Sequence, residues 1–302
     1  MNGANTIRTE ALSKRFRRLW ALQNLNLEVP AGAIYALVGP NGAGKTTLIK
    51  ILMNIVRASS GSATVLGVPS TSIAGHAFTN IGYMSENQEL PEWMRVGQFL
   101  RYVAAFYPTW DKNLESELVK QFDLPLDRKL KHLSRGMRMK AALASALAFH
   151  PKAIILDEPF TGLDPLVRDQ LIESLLERAS EATLFISSHD LAEIESFSSH
   201  VGYLEQGHLR FSEELSSLTD RFREVEVVRD AAAPLPTTTP DSWMQVTDSP
   251  AVVRFIETRF NSDRTDSDIR NVFGRVRDVT FAPMSLRSIF LAMAKSAGGP
   301  GR

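Results

Sequence analysis

Residues 33–56 read AIYALVGPNGAGKTTLIKILMNIV, and the order of patterns within them decides the fold. Ala33 to Val38 is a short, continuously apolar run, the mark of a strand buried on both faces. Leu48 to Val56 repeats apolar residues at helical spacing. Between them, GPNGAGKTT fits the pattern GxxxxGK[ST]. Strand, glycine loop and helix therefore follow one another as a phosphate-binding loop requires. Gly39, Gly42 and Gly44 let the backbone close around phosphate, because side chains at those positions would block the approach. The run Gly39, Pro40, Asn41, Gly42, Ala43, Gly44, Lys45, Thr46 and Thr47 is read as the nucleotide-contacting loop. The following helix adds the partial positive charge of its N-terminus, Lys45 reaches the β and γ phosphates, and the Thr46 hydroxyl suits Mg²⁺. ATP is the expected ligand.

The bulk of the chain agrees with a globular protein. It has 302 residues, 44% hydrophobic and 23% charged, enough for one large domain and a smaller one. Lys plus Arg and Asp plus Glu both number 34, so no whole-chain field favours nucleic acid or an anionic membrane. There is no cysteine, which excludes disulfides, thiolate metal sites and cysteine nucleophiles and leaves oxygen or imidazole ligands for any metal. The stretch MNGANTIRTEALSKRF lacks the apolar core of a secretory signal, and no segment approaches the ~20 apolar residues of a membrane span. The most apolar helical piece, Ala141 to Phe149, is too short to span and reads as a helix buried against a sheet.

Outward from the loop, Leu25, Leu27 and Val29 alternate as in a half-buried strand, and Pro30 to Gly32 turns the chain. Downstream, the apolar run Ala153 to Leu156 ends in Asp157 and Glu158. At the carboxyl edge of a sheet such a pair divides its labour: Asp157 holds Mg²⁺, and Glu158 orients or deprotonates the attacking water. TGLDP, Thr161 to Pro165, opens a helical pattern, with Asp164 either a helix cap or a nucleotide contact. ATLFISS is a third buried strand that delivers His189 and Asp190 to the same edge and makes His189 a candidate for the γ-phosphate.

Taken together these residues resemble the ATP-binding-cassette family of transporter ATPases. GPNGAGKTT looks like its Walker A, AIILDEP its Walker B, TGLDP its D-loop and ISSHD its histidine switch. LSRGMRMK resembles the family signature: Leu133, Ser134 and Gly136 match LSGGQ, whereas Arg135 and Met137 depart from it. The resemblance covers about residues 5–215. It implies an α/β P-loop fold with a mostly parallel central sheet, N-terminal antiparallel strands and a helical subdomain at about 87–145. It also implies a head-to-tail dimer, homodimeric or with a similar ATPase subunit, in which Ser134 and Gly136 of one subunit close over ATP on the other. The remaining implications are a polytopic membrane partner, no nucleic-acid partner, and a place on the cytoplasmic face of the cell membrane. Two further positions come from the resemblance alone. An aromatic stacks on adenine, here Phe16 with Trp20 as second choice, and the usual Q-loop glutamine falls at Glu86, a loop switch and weaker metal ligand, with Gln88 nearby.

The segment between that loop and the signature reads as helices, and Phe99, Tyr102 and Phe106 recur on it at helical spacing, as core or as a groove for a partner helix. Arg128, Lys129, Lys131, Arg135, Arg138 and Lys140 make the signature region basic, which reads as a solvated face or as phosphate steering. VGYL and HLRF form a hairpin around Glu205 to Gly207. From about 216 to 302 a small α+β accessory domain is expected, joined through loop-like AAAPLPTTTPD. In it EVEVV and VRDVTF read as strands, and AVVRFIETRF and SLRSIFLAMAK as helices. A soluble cassette ATPase acting on ribosomes or DNA is the alternative, and a P-loop kinase or switch leaves LSRGM, DE and SHD unexplained together.

Overall fold

The computed structural model describes residues 5–229, 238–249 and 251–297. Most of the loop-like stretch read at 231–241 lies outside the described residues, as does the start of the N-terminal stretch. In chain order the elements are β1 (Asn5–Phe16), β2 (Leu19–Pro30), β3 (Ile34–Val38), α1 (Lys45–Leu52), β4 (Ser60–Val65), β5 (Val68–Pro69), β6 (Ile81–Met84), α2 (Val96–Ala104), α3 (Lys112–Gln121), α4 (Arg135–Leu147), β7 (Ala153–Asp157), α5 (Pro165–Arg178), β8 (Thr183–Ser188), α6 (Leu191–Glu195), β9 (His200–Glu205) and β10 (His208–Glu214). There follow α7 (Leu215–Arg221), β11 (Arg223–Arg229), β12 (Trp243–Asp248), β13 (Val252–Glu257), α8 (Ser262–Phe273), β14 (Val276–Pro283) and α9 (Leu286–Ala297).

The three continuously apolar runs are adjacent strands of one sheet, ordered β10-β9-β3-β8-β7-β6. Strands β9, β3, β8, β7 and β6 run parallel. Parallel strands are covered on both faces, which is why they carry no polar alternation. Their side chains divide by period two. Tyr35, Leu37, Ile155 and Phe185 pack with Leu25 and Leu27 of β2 and with Leu48, Ile49 and Leu52 of α1. Ile154, Leu156, Leu184 and Ile186 pack beneath Leu143 and Leu147 of α4 and Leu171 and Leu175 of α5. A second, antiparallel sheet, β2-β1-β4-β5, closes the first of these cores. The alternation seen in NLNLEV is the inner end of the longer strand β2, whose Leu25, Leu27 and Val29 are each no more than 1% exposed.

The stripe divides, and its last residue, Phe106, lies just beyond the end of α2. Phe99 is 6% exposed and belongs to the core, whereas Tyr102 and Phe106 are 53% and 62% exposed and meet edge to face at 5.2 Å. Phe99 is therefore not a surface residue of a partner groove. Truncating it to Ala should lower stability by about 3–5 kcal/mol, the usual range for a buried phenylalanine. Tyr102→Ala should stay within about 0.5 kcal/mol. Denaturant titration distinguishes the two.

The chain forms two compact units, one of residues up to Asp190 with Ser196–Ser212, the other of Leu191–Glu195 with residues from Glu213 onward. The second unit is built on an antiparallel sheet ordered β12-β13-β11-β14. Val225, Val227, Val253 and Phe255 are buried on one face with Trp243 and Ile269, and Trp243 stacks on Phe255 at 3.9 Å. EVEVV and VRDVTF are strands and SLRSIFLAMAK is a helix. AVVRFIETRF is a correction: residues 252–257 of it form strand β13 and not a helix. Its apolar residues satisfy either period, and pairing between β11 and β12 settles the matter, with Val253, Phe255 and Glu257 turned inward. The neighbouring helix, α8, comes instead from the polar stretch after Asn261, whose side chain caps it by accepting from Arg264 N. No helix among the described residues is long and apolar enough to cross a membrane.

Candidate functional site

Strand order brings the motifs together. β8 lies between β3 and β7, with Val38 opposite Ser188 and Asp157 opposite Ser187. The loop after β3, the histidine after β8 and the acid pair ending β7 thus emerge side by side at one sheet edge. A cleft of about 920 Å³ opens there, lined by Asn41 to Thr47, Glu86, Glu158, Thr161 and His189, with Phe16 and Trp20 at one wall.

Two of the loop glycines are required by the protein's own packing. A Cβ on Gly39 would lie 2.1 Å from the Leu204 carbonyl oxygen of β9, and one on Gly44, at φ +114°, would lie 2.4 Å from that of Ala21. The loop is therefore clamped between β9 and β2. Helix α1 starts directly after Gly44 with no side-chain cap and no acid in its first turn, so its first amides remain available to an anion.

Lys45 is buried beneath the loop, 5% exposed. Its Nζ donates to the Gly39 carbonyl at 2.6 Å and the Pro40 carbonyl at 3.4 Å, and lies 3.1 Å from Glu158 Oε1. That oxygen is close enough to pair electrostatically, yet no donor is aligned on it as a hydrogen bond. Glu158 Oε2 accepts from His189 Nδ1 at 2.7 Å and from Thr161 Oγ1 at 3.0 Å. Lysine, glutamate and histidine form one continuous line. The Glu158 backbone sits at φ +49°, a left-handed conformation rare for a residue with a side chain and found most often where function holds it.

Ser187 fixes both acids. Its hydroxyl donates to Asp157 Oδ1 at 2.7 Å, and the Glu158 amide donates to the same hydroxyl at 3.0 Å and to the Ser187 carbonyl at 3.2 Å. Asp157 is 1% exposed and lies beneath the cleft. Burial raises the nearby Tyr83 phenol, the charge of Asp157 adds to that, and a hydrogen bond with Ser85 partly offsets both. Ser187 within ISSHD and Thr161 within TGLDP carry no role that the sequence by itself assigns. The signal for Ser187 is its place at the end of a strand that pairs in parallel with the one ending in Asp157, which sets the serine opposite the aspartate.

Oxygen donors of the kind Mg²⁺ takes are present at this edge: the Thr46 hydroxyl on α1, the Asp157 carboxylate and the Glu86 carboxylate. The buried, unaligned Glu158 Oε1 is the kind of polar atom that calls for a donor such as a water. The residues thus fit a magnesium nucleotide. Gln88 does not reach toward it. Its Oε1 accepts from the Ser85 amide and hydroxyl, both at 3.1 Å, so Glu86 stands in the cleft.

Phe16 and Trp20 are 46% and 44% exposed at the cleft wall, free to stack on a planar ring and not part of the core. Lys14 and Arg15 lie over their rings at 4.7 and 5.3 Å. Ser134 and Gly136 do not line this cleft. Ser134 caps α4 by accepting from Met137 N at 3.2 Å, and Gly136 faces Val167 of α5. Arg135 packs its guanidinium against Gly162. Lys140 is 7% exposed, so the basic stretch is not one solvated face. Asp164 caps α5 by accepting from Val167 N at 3.1 Å, ahead of Pro165.

The ABC transporter family model matches residues 22–161. The chain is 33% identical over 242 residues to an uncharacterized ABC transporter ATP-binding protein of Synechocystis sp., covering 74% of this chain and 67% of that one. It is 30% identical over 223 residues to a bacitracin transport ATP-binding protein of Enterococcus faecalis, covering 72% of each. A solved structure of the ATP-binding subunit of an ABC transporter superposes with a TM-score of 0.66 at 26% identity, covering 71% of this chain and 92% of that one.

Proposed function

The chain belongs to the ABC transporter ATP-binding family and is an ATPase, and from that premise we propose that it powers export through an ATP-closed, head-to-tail dimer. The observation that carries the reading is the line Lys45, Glu158, His189 at the end of three adjacent strands. In this proposal Lys45 and the α1 amides bind the triphosphate, and Phe16 or Trp20 stacks on adenine. As phosphate engages Lys45, Glu158 Oε1 turns to the attacking water as its base. His189 and Thr161 hold the other carboxylate oxygen. Thr46 and Asp157, with Glu86 as a weaker ligand, would hold Mg²⁺, which supplies charge stabilisation at the phosphates when bound.

The dimer is supported by what the cleft lacks. Ser134 and Gly136 are outside their own subunit's cleft, so a signature that touches nucleotide must come from a second copy or a similar subunit, with Asp164 near that boundary. A transport role is supported by the bacitracin transport relative, and export is the direction we propose for it. The membrane partner would be a polytopic subunit, the location the cytoplasmic face of the cell membrane, and 216–302 an accessory domain. Exposed Tyr102 and Phe106, beside a groove lined by Phe78, Tyr107 and Pro108, are the proposed docking surface for that partner.

The protein should copurify from detergent-solubilised membranes with a polytopic chain, and Tyr102→Ala with Phe106→Ala should abolish that association while ATP binding persists. Copurification with ribosomes in place of a membrane chain would overturn the transport reading.

A further inference from the structure

Strands β1 and β2 are joined by a two-residue tip, Arg17 and Arg18, with Phe16 opposite Leu19 and Arg15 opposite Trp20. Hairpins this tight favour Asn-Gly or Asp-Gly, because the tip needs positive φ. Here Arg17 takes that conformation, at φ +51°, so a long cationic side chain stands where turn chemistry favours a small residue. Residues 14–20 read KRFRRLW, four cations and no acid, and Arg15 to Trp20 are all exposed. Glu10 and Glu28, farther along the same two strands, are taken by Arg8 at 3.0 and 3.5 Å. Lys14 Nζ donates to the Arg57 carbonyl at 2.7 Å, and none of the four cations is paired with an acid among the described residues. The tip borders the nucleotide cleft, where Arg18, Leu19 and Trp20 join Phe16 in the lining. Of the acids in that lining, Glu158 is paired with Lys45, which leaves Glu86 alone against four cations. A chain with 34 basic and 34 acidic residues thus has a positive rim at its cleft.

We propose that this tip captures the phosphates of the incoming nucleotide, with Arg17 and Arg18 setting how fast a nucleoside triphosphate reaches the cleft; the proposal rests on the reading of the cleft given above. A magnesium-bound triphosphate keeps a net negative charge, and a positive patch at the rim of a cleft draws such a ligand in before any fixed contact forms. The four cations divide the work. Lys14 Nζ lies 4.7 Å over the Phe16 ring and Arg15 lies 5.3 Å over that of Trp20, so these two are committed to the rings at the cleft wall. Neither Arg17 nor Arg18 is placed on a ring among the described residues, and their charges remain for the phosphates. Charge at a rim acts on association, is weakened by salt and leaves dissociation nearly unchanged. Lys45, buried under the loop, acts the other way by holding what has arrived.

The test is stopped-flow capture of magnesium ATP by the full-length chain, followed through tryptophan emission, since Trp20 stands at the cleft wall. Arg17→Gln with Arg18→Gln should lower the association rate about 3- to 10-fold at low ionic strength and change the dissociation rate by less than about twofold. The variant and the wild type should converge at roughly 0.5 M salt, where the screening length falls to about 4 Å. Arg17→Lys with Arg18→Lys keeps the charge and should restore the rate, a rescue that a role for the guanidinium groups in the turn itself would not give. ADP, with one phosphate fewer, should be slowed less than ATP. An unchanged association rate in the Gln pair overturns the proposal, and the cleft reading stands if Lys45→Met still loses affinity. If Lys45→Met also binds ATP normally, both are overturned. Binding to phosphatidylglycerol vesicles that the Gln pair abolishes, with ATP association unchanged, likewise overturns the proposal and assigns the tip to a lipid surface.

Discussion

Glu158→Gln should turn over ATP about 10²- to 10⁴-fold more slowly than the wild type, the range for losing a positioned general base, and should still bind nucleotide. The substitution preserves the volume of the side chain and an oxygen able to accept from His189 and Thr161, the two donors now on Oε2. What it removes is the charge and the basicity of Oε1, the oxygen that has no aligned donor. Lys45 loses its counter-ion but keeps the carbonyls of Gly39 and Pro40, and triphosphate supplies the missing negative charge. Steady-state hydrolysis with a separate equilibrium binding measurement separates the two effects. Turnover within a few-fold of wild type would remove Glu158 from the role of base.

Lys45→Met should act in the opposite place. Nucleotide affinity should fall by about 10- to 100-fold, because a charge-assisted hydrogen bond to phosphate is lost from a buried position. The free protein should also lose about 3–5 kcal/mol of stability, since Glu158, only 7% exposed, is left with no buried cation beside it. Combining Lys45→Met with Glu158→Gln removes both charges and should restore much of that stability without restoring affinity. Calorimetry and thermal unfolding of the three variants check this. Wild-type affinity in Lys45→Met would place the phosphates elsewhere.

The contiguous parts of the site were legible in the sequence because each motif sits at the end of a buried strand, and short apolar runs are hard to mistake when a glycine loop or an acid pair follows. Strand order was not legible. Nothing in AIYALV, AIILDEP and ATLFISS states that the third lies between the other two, and that order is what sets His189 beside Glu158. The role of Ser187 is hidden for the same reason, since its hydroxyl meets Asp157 only across the sheet, whereas that of Thr161 depends on the turn that brings it back to Glu158 three residues earlier. The second unit was harder because its signals are short. AVVRFIETRF satisfies either period over so few residues, while SDRTDSDIRNVF is too polar to announce a buried face beyond Thr265 and Ile269. That Leu191–Glu195 belongs with residues beyond 213 depends on packing between segments far apart in sequence, which no local pattern records.

One hydroxyl, that of Ser187, touches both the aspartate and the amide of the glutamate that follows it. The seating of both consecutive acids against β8 is therefore gauged by the pitch of two neighbouring strands, as on a ruler, and not by the length of any loop. Loops around the cleft can lengthen or drift without spoiling that measure, whereas a single-residue slip of β7 against β8 would spoil it at once.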